Sequence, residues 1–241
     1  MAGHSTLTLI ALARHRSEGP RFTGHTSPVL FEASSWRDTL VDMTNGSTRA
    51  AYRSRAAEYT RLLGSVDDMH ELDRQRIGRW GSSIDGQMID AGCGPGHWAN
   101  YLHERGAAIE GIDLVPEFID NARVRFPDVP FRVGSFRQMD FSDKTLQGVP
   151  AWYSLIHIPP DEVPEALKEF ARVLVPRGRL LIGFFEGLPG TPFQHAVTTA
   201  YYWSVEEMGH LLGNAGFDVL DVETRQDAGK RAHASVSATV R

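Results

Sequence analysis

A chain of 241 residues with 41% hydrophobic and 23% charged side chains is long and apolar enough to bury one full α/β core. Its formal net charge of −5 argues against affinity for nucleic acid, which rests on clustered Lys and Arg neutralising phosphates. One cysteine, Cys93, excludes an internal disulfide, so the chain is read as cytoplasmic, with small-molecule partners and neither nucleic acid nor membrane.

The apolar run TLTLIALA, residues 6–13, ends in an A-x-A pattern but has no preceding Lys or Arg and is too short to span a bilayer. Residues 14–42 mix Gly, Pro, Ser, His and Arg without sustained periodicity, with at most one helical turn at Trp36, Leu40 and Val41. Residues 1–46 are therefore expected to be a loosely structured leader. From Ser47 the spacing of Ala50, Tyr52, Ala57, Tyr59, Leu62 and Leu63 predicts a helix, and Met69, Leu72, Arg76, Ile77 and Trp80 predict a second. These helices, over 47–83, precede a core at 84–241. Their arginines are offset by Glu58, Asp67, Asp68, Glu71 and Asp73, which reads as a solvated face rather than an anion site.

After Gly86 strand and helix alternate. QMIDAG is a buried strand, GHWANYLHERG a helix closing at Gly106, AAIEGIDL a strand, and PEFIDNARVRF a helix opened by Pro116. VPFRVGS and GVPAWYSLI are the third and fourth strands. DEVPEALKEFARVL is a helix with Val163, Leu167, Phe170 and Leu174 on one face, and GRLLIGFFE is the fifth strand. Parallel neighbours need crossovers, so this order predicts a doubly wound, mostly parallel sheet covered on both faces. Ser204 and Glu207 form a capping box for a last helix. FDVLDVET and the strictly alternating RAHASVSATV follow, joined by a turn so short that the final strand must run antiparallel.

The first strand of such a sheet delivers its loop to the ligand crevice at the carboxyl edge. Here that loop is DAGCGPG, with Gly92, Gly94 and Gly96 allowing main chain to approach a ligand. Asp113 stands 21 residues after Gly92, one strand later, where a carboxylate accepts both hydroxyls of a ribose. The ligand is nucleoside-like, and two cofactor classes compete for it. A dinucleotide fingerprint requires glycine at position 97, which is His97 here.

The spacing G-x-G-x-G behind Asp90, with Asp113 in register and ARVLVPRGRLLIGFF leading into the fifth strand, resembles the class I S-adenosylmethionine-dependent methyltransferases. Arg177 stands where that family's R-V-L-x-P-G-G turn has its first glycine. The resemblance runs from about Tyr52 to the C-terminus and implies a methyltransferase domain over 47–241: a Rossmann-like, doubly wound α/β fold, seven strands in the order 3-2-1-4-5-7-6, the last antiparallel, with the N-terminal helices as a lid. It implies S-adenosylmethionine as cofactor, with Asp90 and Gly96 in the first motif and Gly92, Cys93 and Gly94 along the methionine portion. It places Asp113 at the ribose, Leu114 beside the adenine, and Ser135 and Phe136 in the loop after strand three. Gln147 and Gly148 replace the usual aspartate of strand four, leaving AWYSLIH, with Ala151, Trp152 and Tyr153, to line the pocket.

Methyl transfer from a sulfonium is an in-line displacement that positioning alone accelerates. A hydroxyl acceptor must also lose a proton, and His157, just past strand four, is the expected catalytic base at the methyl-bearing edge. His195 is a second candidate, and with Tyr153 and His157 it is expected to contact the substrate, a small-molecule methyl acceptor. Residues 187–203 and the N-terminal helices should cover that pocket. The histidines show no H-x₃-H spacing, so no metal is expected. Two other readings stay open: a noncatalytic S-adenosylmethionine-binding protein, and a nicotinamide-dependent oxidoreductase, which His97 disfavours.

Overall fold

The computed structural model describes residues 34–241, so the readings of residues 1–33, TLTLIALA among them, lie outside the described residues. Helix α1 runs Ser34–Leu63, and the leader boundary expected at Ser47 falls within it. Asn45, Gly46 and Ser47 are weak helix formers and read as a break. Their cost, up to about 1 kcal/mol for the glycine, is met because extending a formed helix adds a hydrogen bond for each residue fixed. A 3₁₀ turn, Val66–Asp68, leads to α2, Glu71–Gly81, whose first turn is capped by the His70 ring accepting from the Leu72 N–H at 3.1 Å.

The core then alternates as the sequence predicts: β1 Met88–Ala91, α3 His97–His103, β2 Ile109–Asp113, α4 Pro116–Arg125, β3 Phe131–Val133, β4 Leu146–Trp152, α5 Val163–Val173 and β5 Leu174–Phe185. A short hairpin, β6 Pro192–Gln194 and β7 Thr199–Tyr201, precedes α6 Val205–Asn214, β8 Phe217–Arg225 and β9 His233–Val240. The sheet order is β3-β2-β1-β4-β5-β9-β8, with β9 antiparallel to both neighbours. That is the expected 3-2-1-4-5-7-6 once the hairpin, which lies outside the sheet, is left uncounted. Strands of three residues are too short to show alternation, so the hairpin left no signal in the sequence.

β1 is buried on both faces, as a central parallel strand must be. Ile89 and Ala91 join the core under α5 and α6, while Met88 packs with Ile77 and Trp80 of α2 and Leu102 of α3. The α5 stripe Val163, Leu167 and Phe170 is fully buried, and Leu174 opens β5 instead of closing the helix. The α6 cap forms, with Ser204 Oγ accepting from the Glu207 N–H at 3.1 Å. The lid arginines are not all solvated. Arg76 is 7% exposed, donates to Ser235 at 3.1 Å and to Glu223 at 3.2 Å, and pairs with Asp221, pinning α2 to the β8–β9 edge.

Arg177 sits at φ 66, in the left-handed region. A side chain there carries a steric cost that glycine avoids, partly offset by glycine's larger loss of freedom on folding. Arg177→Gly is therefore expected to stabilise the fold by about 0.5–1 kcal/mol, read as a rise of a few degrees in thermal midpoint.

Candidate active site

The β1–α3 turn, the end of β2 and the turn after β4 open on one cavity of about 320 Å³, roofed by α1 and by the segment carrying the hairpin. Gly92 and Gly94 adopt φ 77 and φ 53. A Cβ on Gly92 would stand 2.8 Å from Ser154 Oγ and 2.9 Å from Ser154 Cβ, whereas Gly94 faces open space. Gly92→Ala is accordingly expected to cost about 1–2 kcal/mol of stability in chemical denaturation, from the left-handed backbone and the contact with Ser154.

Asp113 closes β2 and folds its carboxylate back on the turn. Oδ2 accepts the Gly94 N–H and Oδ1 the Val115 N–H, each at 2.9 Å. Burial nevertheless raises its pKa to about 6, against those bonds. Asp90, 2% exposed in β1, is raised to about 7 by burial and by the nearby Asp113 charge, and its Oδ2 has no partner. Two buried carboxylates beside a bare glycine turn suit a ligand that brings hydroxyls and positive charge. S-adenosylmethionine fits that demand: Asp113 has lone pairs left for ribose hydroxyls, Asp90 for a cationic or amino group, and Leu114, Val115, Phe118 and Phe136 supply an apolar wall for a base.

Of the expected cofactor residues, Asp90, Gly92, Cys93, Gly94, Asp113, Leu114, Phe136 and Trp152 form the cavity wall. Gly96, Ser135 and Ala151 do not. Gly96 packs toward Phe131 and Ala122 as the residue before α3, Ser135 Oγ accepts from the Arg137 N–H at 3.2 Å, and Ala151 is fully buried inside the sheet. Cys93 is buried against α3 and α4, and burial pushes its thiol pKa well up, the behaviour of a packing residue.

All three expected substrate residues, Tyr153, His157 and His195, line the same cavity. His157 ends a 3₁₀ turn, Leu155–His157, directly after β4. Its Nδ1 lies 2.7 Å from the Thr199 carbonyl oxygen of β7, an acceptor only, so Nδ1 carries the proton. Nε2 is then an acceptor and takes the Tyr52 hydroxyl of α1 at 2.8 Å. Burial lowers the His157 pKa and raises that of Tyr52 well above its ordinary value, so both are neutral. His195, on the turn between β6 and β7, lies 5.1 Å ring to ring from His157, with its pKa lowered to about 4 by burial, His157 and Arg231. Tyr153 is held at φ 58 and bonds His233 Nδ1, a second tyrosine–histidine pair on the same wall.

The segment 187–203 meets the first helix where the Arg55 guanidinium of α1 donates to the Ala196 carbonyl, and His195 is the residue of that segment that lines the cavity, with Tyr52 and Tyr59 of α1 and Asp73 of α2. Tyr52, Tyr59, Asp73, His97, Ser154 and His233 also line the cavity and were not singled out from the sequence as site residues. Only Tyr52 and Tyr59 had a readable signal there, as part of a helical stripe that also suited a packed core. Among the described residues there is no group of three His, Cys, Asp or Glu that could hold a metal, and no helix is long and apolar enough to cross a membrane.

A family model described as a methyltransferase domain matches residues 88–178, from β1 to the turn in β5. Over 143 residues the chain is 32% identical to malonyl-[acyl-carrier protein] O-methyltransferase of Serratia marcescens, covering 58% of this chain and 55% of that one. Over 93 residues it is 31% identical to demethylmenaquinone methyltransferase of Chlorobaculum parvum, covering 38% of each. The chain thus spans about half the length, or less, of these curated relatives. Magnesium protoporphyrin IX methyltransferase from Synechocystis PCC 6803, solved with bound S-adenosylmethionine, shares the fold with a TM-score of 0.65 at 17% identity, covering 82% of this chain and 97% of that one. The matched segment holds the glycine turn and Asp113, and in that segment and in the strand order around it this chain is similar to the class I S-adenosylmethionine-dependent methyltransferases.

Proposed function

We propose that the protein transfers the methyl group of S-adenosylmethionine to a small-molecule acceptor held beneath α1 and the β6–β7 hairpin. The observation that carries this reading is a cavity lined by two chemically distinct sets of residues. One set is the bare glycine turn and two buried carboxylates, and the other is neutral histidines and tyrosines. A noncatalytic binding protein has no need of the second set. The malonyl-[acyl-carrier protein], demethylmenaquinone and magnesium protoporphyrin methyltransferases differ in acceptor, so they support the reaction type and not one substrate.

When bound, S-adenosylmethionine supplies an electrophilic methyl carbon. The chain's own residues do the rest. Asp113 and Asp90 would hold the cofactor, while Trp152, Tyr153 and Phe185 fix the acceptor by shape. The Thr199 carbonyl fixes the His157 tautomer so that Nε2 is ready to receive a proton through the Tyr52 hydroxyl. For a hydroxyl acceptor, the proton arriving on the Tyr52 oxygen is matched by the Tyr52 proton leaving to His157. No net charge is left on the tyrosine, whose ionisation burial strongly disfavours.

Calorimetry with S-adenosylmethionine, S-adenosylhomocysteine and a reduced nicotinamide dinucleotide tests the cofactor. Formation of S-adenosylhomocysteine that depends on a small-molecule fraction of cell extract tests the reaction. Binding of the first two near micromolar Kd, about −8 kcal/mol, is expected, with none of the third. Tight binding without acceptor-dependent turnover would leave a binding protein.

A further inference from the structure

His97 enters the sequence reading only as the residue that breaks a dinucleotide fingerprint, yet it is the least satisfied polar side chain in the cavity. It is 7% exposed, forms wall beside Pro95 and Trp98, and neither ring nitrogen has a partner. Its ring lies 5.3 Å from that of Trp98. Burial and the nearby Arg125 charge keep it neutral, so it presents one N–H donor and one bare nitrogen. An imidazole shut away from water with both nitrogens idle is costly, and an apolar ring of the same shape would avoid that cost.

We propose that His97 binds the methyl donor itself, donating its N–H to the carboxylate of the donor's amino-acid tail. The inference rests on the reading of the cavity as an S-adenosylmethionine site. The nucleoside half of that ligand is already matched, by Asp113 for hydroxyls and by Leu114, Val115 and Phe136 for a flat ring. What remains is a zwitterion, one end of which needs acceptors and the other donors. Asp90, with its unpartnered Oδ2, is the acceptor for the ammonium. Of the wall cations, Arg137 is engaged in an ion pair with Glu162 and Arg49 is exposed on α1, whereas His97 is a buried wall donor beside the glycine turn with neither ring nitrogen partnered. The side chain that excludes a pyrophosphate-binding turn thus serves as a determinant for the amino-acid end of the donor.

The test compares the full-length protein with His97→Phe and His97→Gln, titrated with S-adenosylmethionine and with decarboxylated S-adenosylmethionine, which differs only by the carboxylate. His97→Phe is expected to bind S-adenosylmethionine about 10–100-fold more weakly while its affinity for the decarboxylated ligand stays unchanged. His97→Gln, which keeps an N–H donor, should recover part of the loss. Without ligand, His97→Phe should unfold at an equal or higher temperature, because an idle polar group has been removed. Equal weakening for both ligands, unchanged binding of both, or a large loss of thermal stability in His97→Phe would each overturn the assignment. Wild-type protein that fails to bind S-adenosylmethionine at all would instead overturn the underlying reading of the site.

Discussion

Replacing His157 by Gln is expected to lower turnover by about 10²–10⁴-fold, with S-adenosylmethionine affinity kept within about twofold. Gln still fills the space and accepts a hydrogen bond from Tyr52, but it cannot carry a proton away. Tyr52→Phe removes the hydroxyl that joins the cavity to Nε2 and keeps the ring that packs edge-on against Phe118 and His157. The two side chains act on one proton, so the double variant should be little worse than either single one, a non-additivity that independent roles do not produce. Imidazolium cannot accept a proton, so protonating His157 abolishes this route. Its pKa lies below the ordinary 6.5, so wild-type turnover at saturating S-adenosylmethionine should be flat through neutral pH and fall on further acidification. The measurement is turnover per folded molecule across pH, with thermal midpoints taken alongside. Near-normal turnover in His157→Gln with a lowered midpoint would make the ring a structural bridge between β4 and β7.

The fold was legible because its signals are local. The α5 stripe, the Ser204 cap, Pro116 at the start of α4 and the alternation of β9 each occupy a few adjacent residues, and each formed where expected. The glycine turn and Asp113 were legible for a related reason, since one βαβ unit fixes the distance between them. The histidine and tyrosine set was less so. Tyr52 and His157 meet across 105 residues, and no pattern along the chain announces that α1 lays one tyrosine of its stripe on a histidine after β4. Ser135 was expected to face the cofactor from its place in a loop, but a serine in a tight turn bonds its own backbone, as its contact with the Arg137 N–H shows. The α1 boundary was missed because weak helix formers at 45–47 were weighed alone, without the helical flanks that carry the helix through them.

Asp90→Asn should stabilise the ligand-free protein at pH 8 by up to about 4 kcal/mol, seen as a thermal midpoint about 10 °C higher, and should weaken S-adenosylmethionine binding. Burial and the Asp113 charge raise this carboxyl from 3.8 to about 7 on folding. Between those values the folded chain binds more protons than the unfolded one, so wild-type stability falls as pH rises from about 4 to about 7 and stays low above. Asn, always neutral, escapes that loss. The gain should therefore vanish near pH 4, where Asp90 is protonated in the fold, and be complete by pH 8. Binding runs the other way. A cationic donor is attracted by the ionised carboxylate, so wild-type affinity should drop about tenfold between pH 8 and pH 6 as the carboxyl takes up its proton, and Asp90→Asn should flatten most of that dependence. Asp113, raised to about 6, adds a smaller decline at lower pH that persists in the variant. S-adenosylhomocysteine keeps the ammonium that Asp90 accepts and should show a similar profile in the wild type. Thermal scans and titrations at pH 4, 6 and 8 read all of this. A variant less stable than wild type at pH 8 would show that Asp90 is held ionised in the fold by a favourable partner, and the carboxylate would then not be a charge kept in waiting for the ligand.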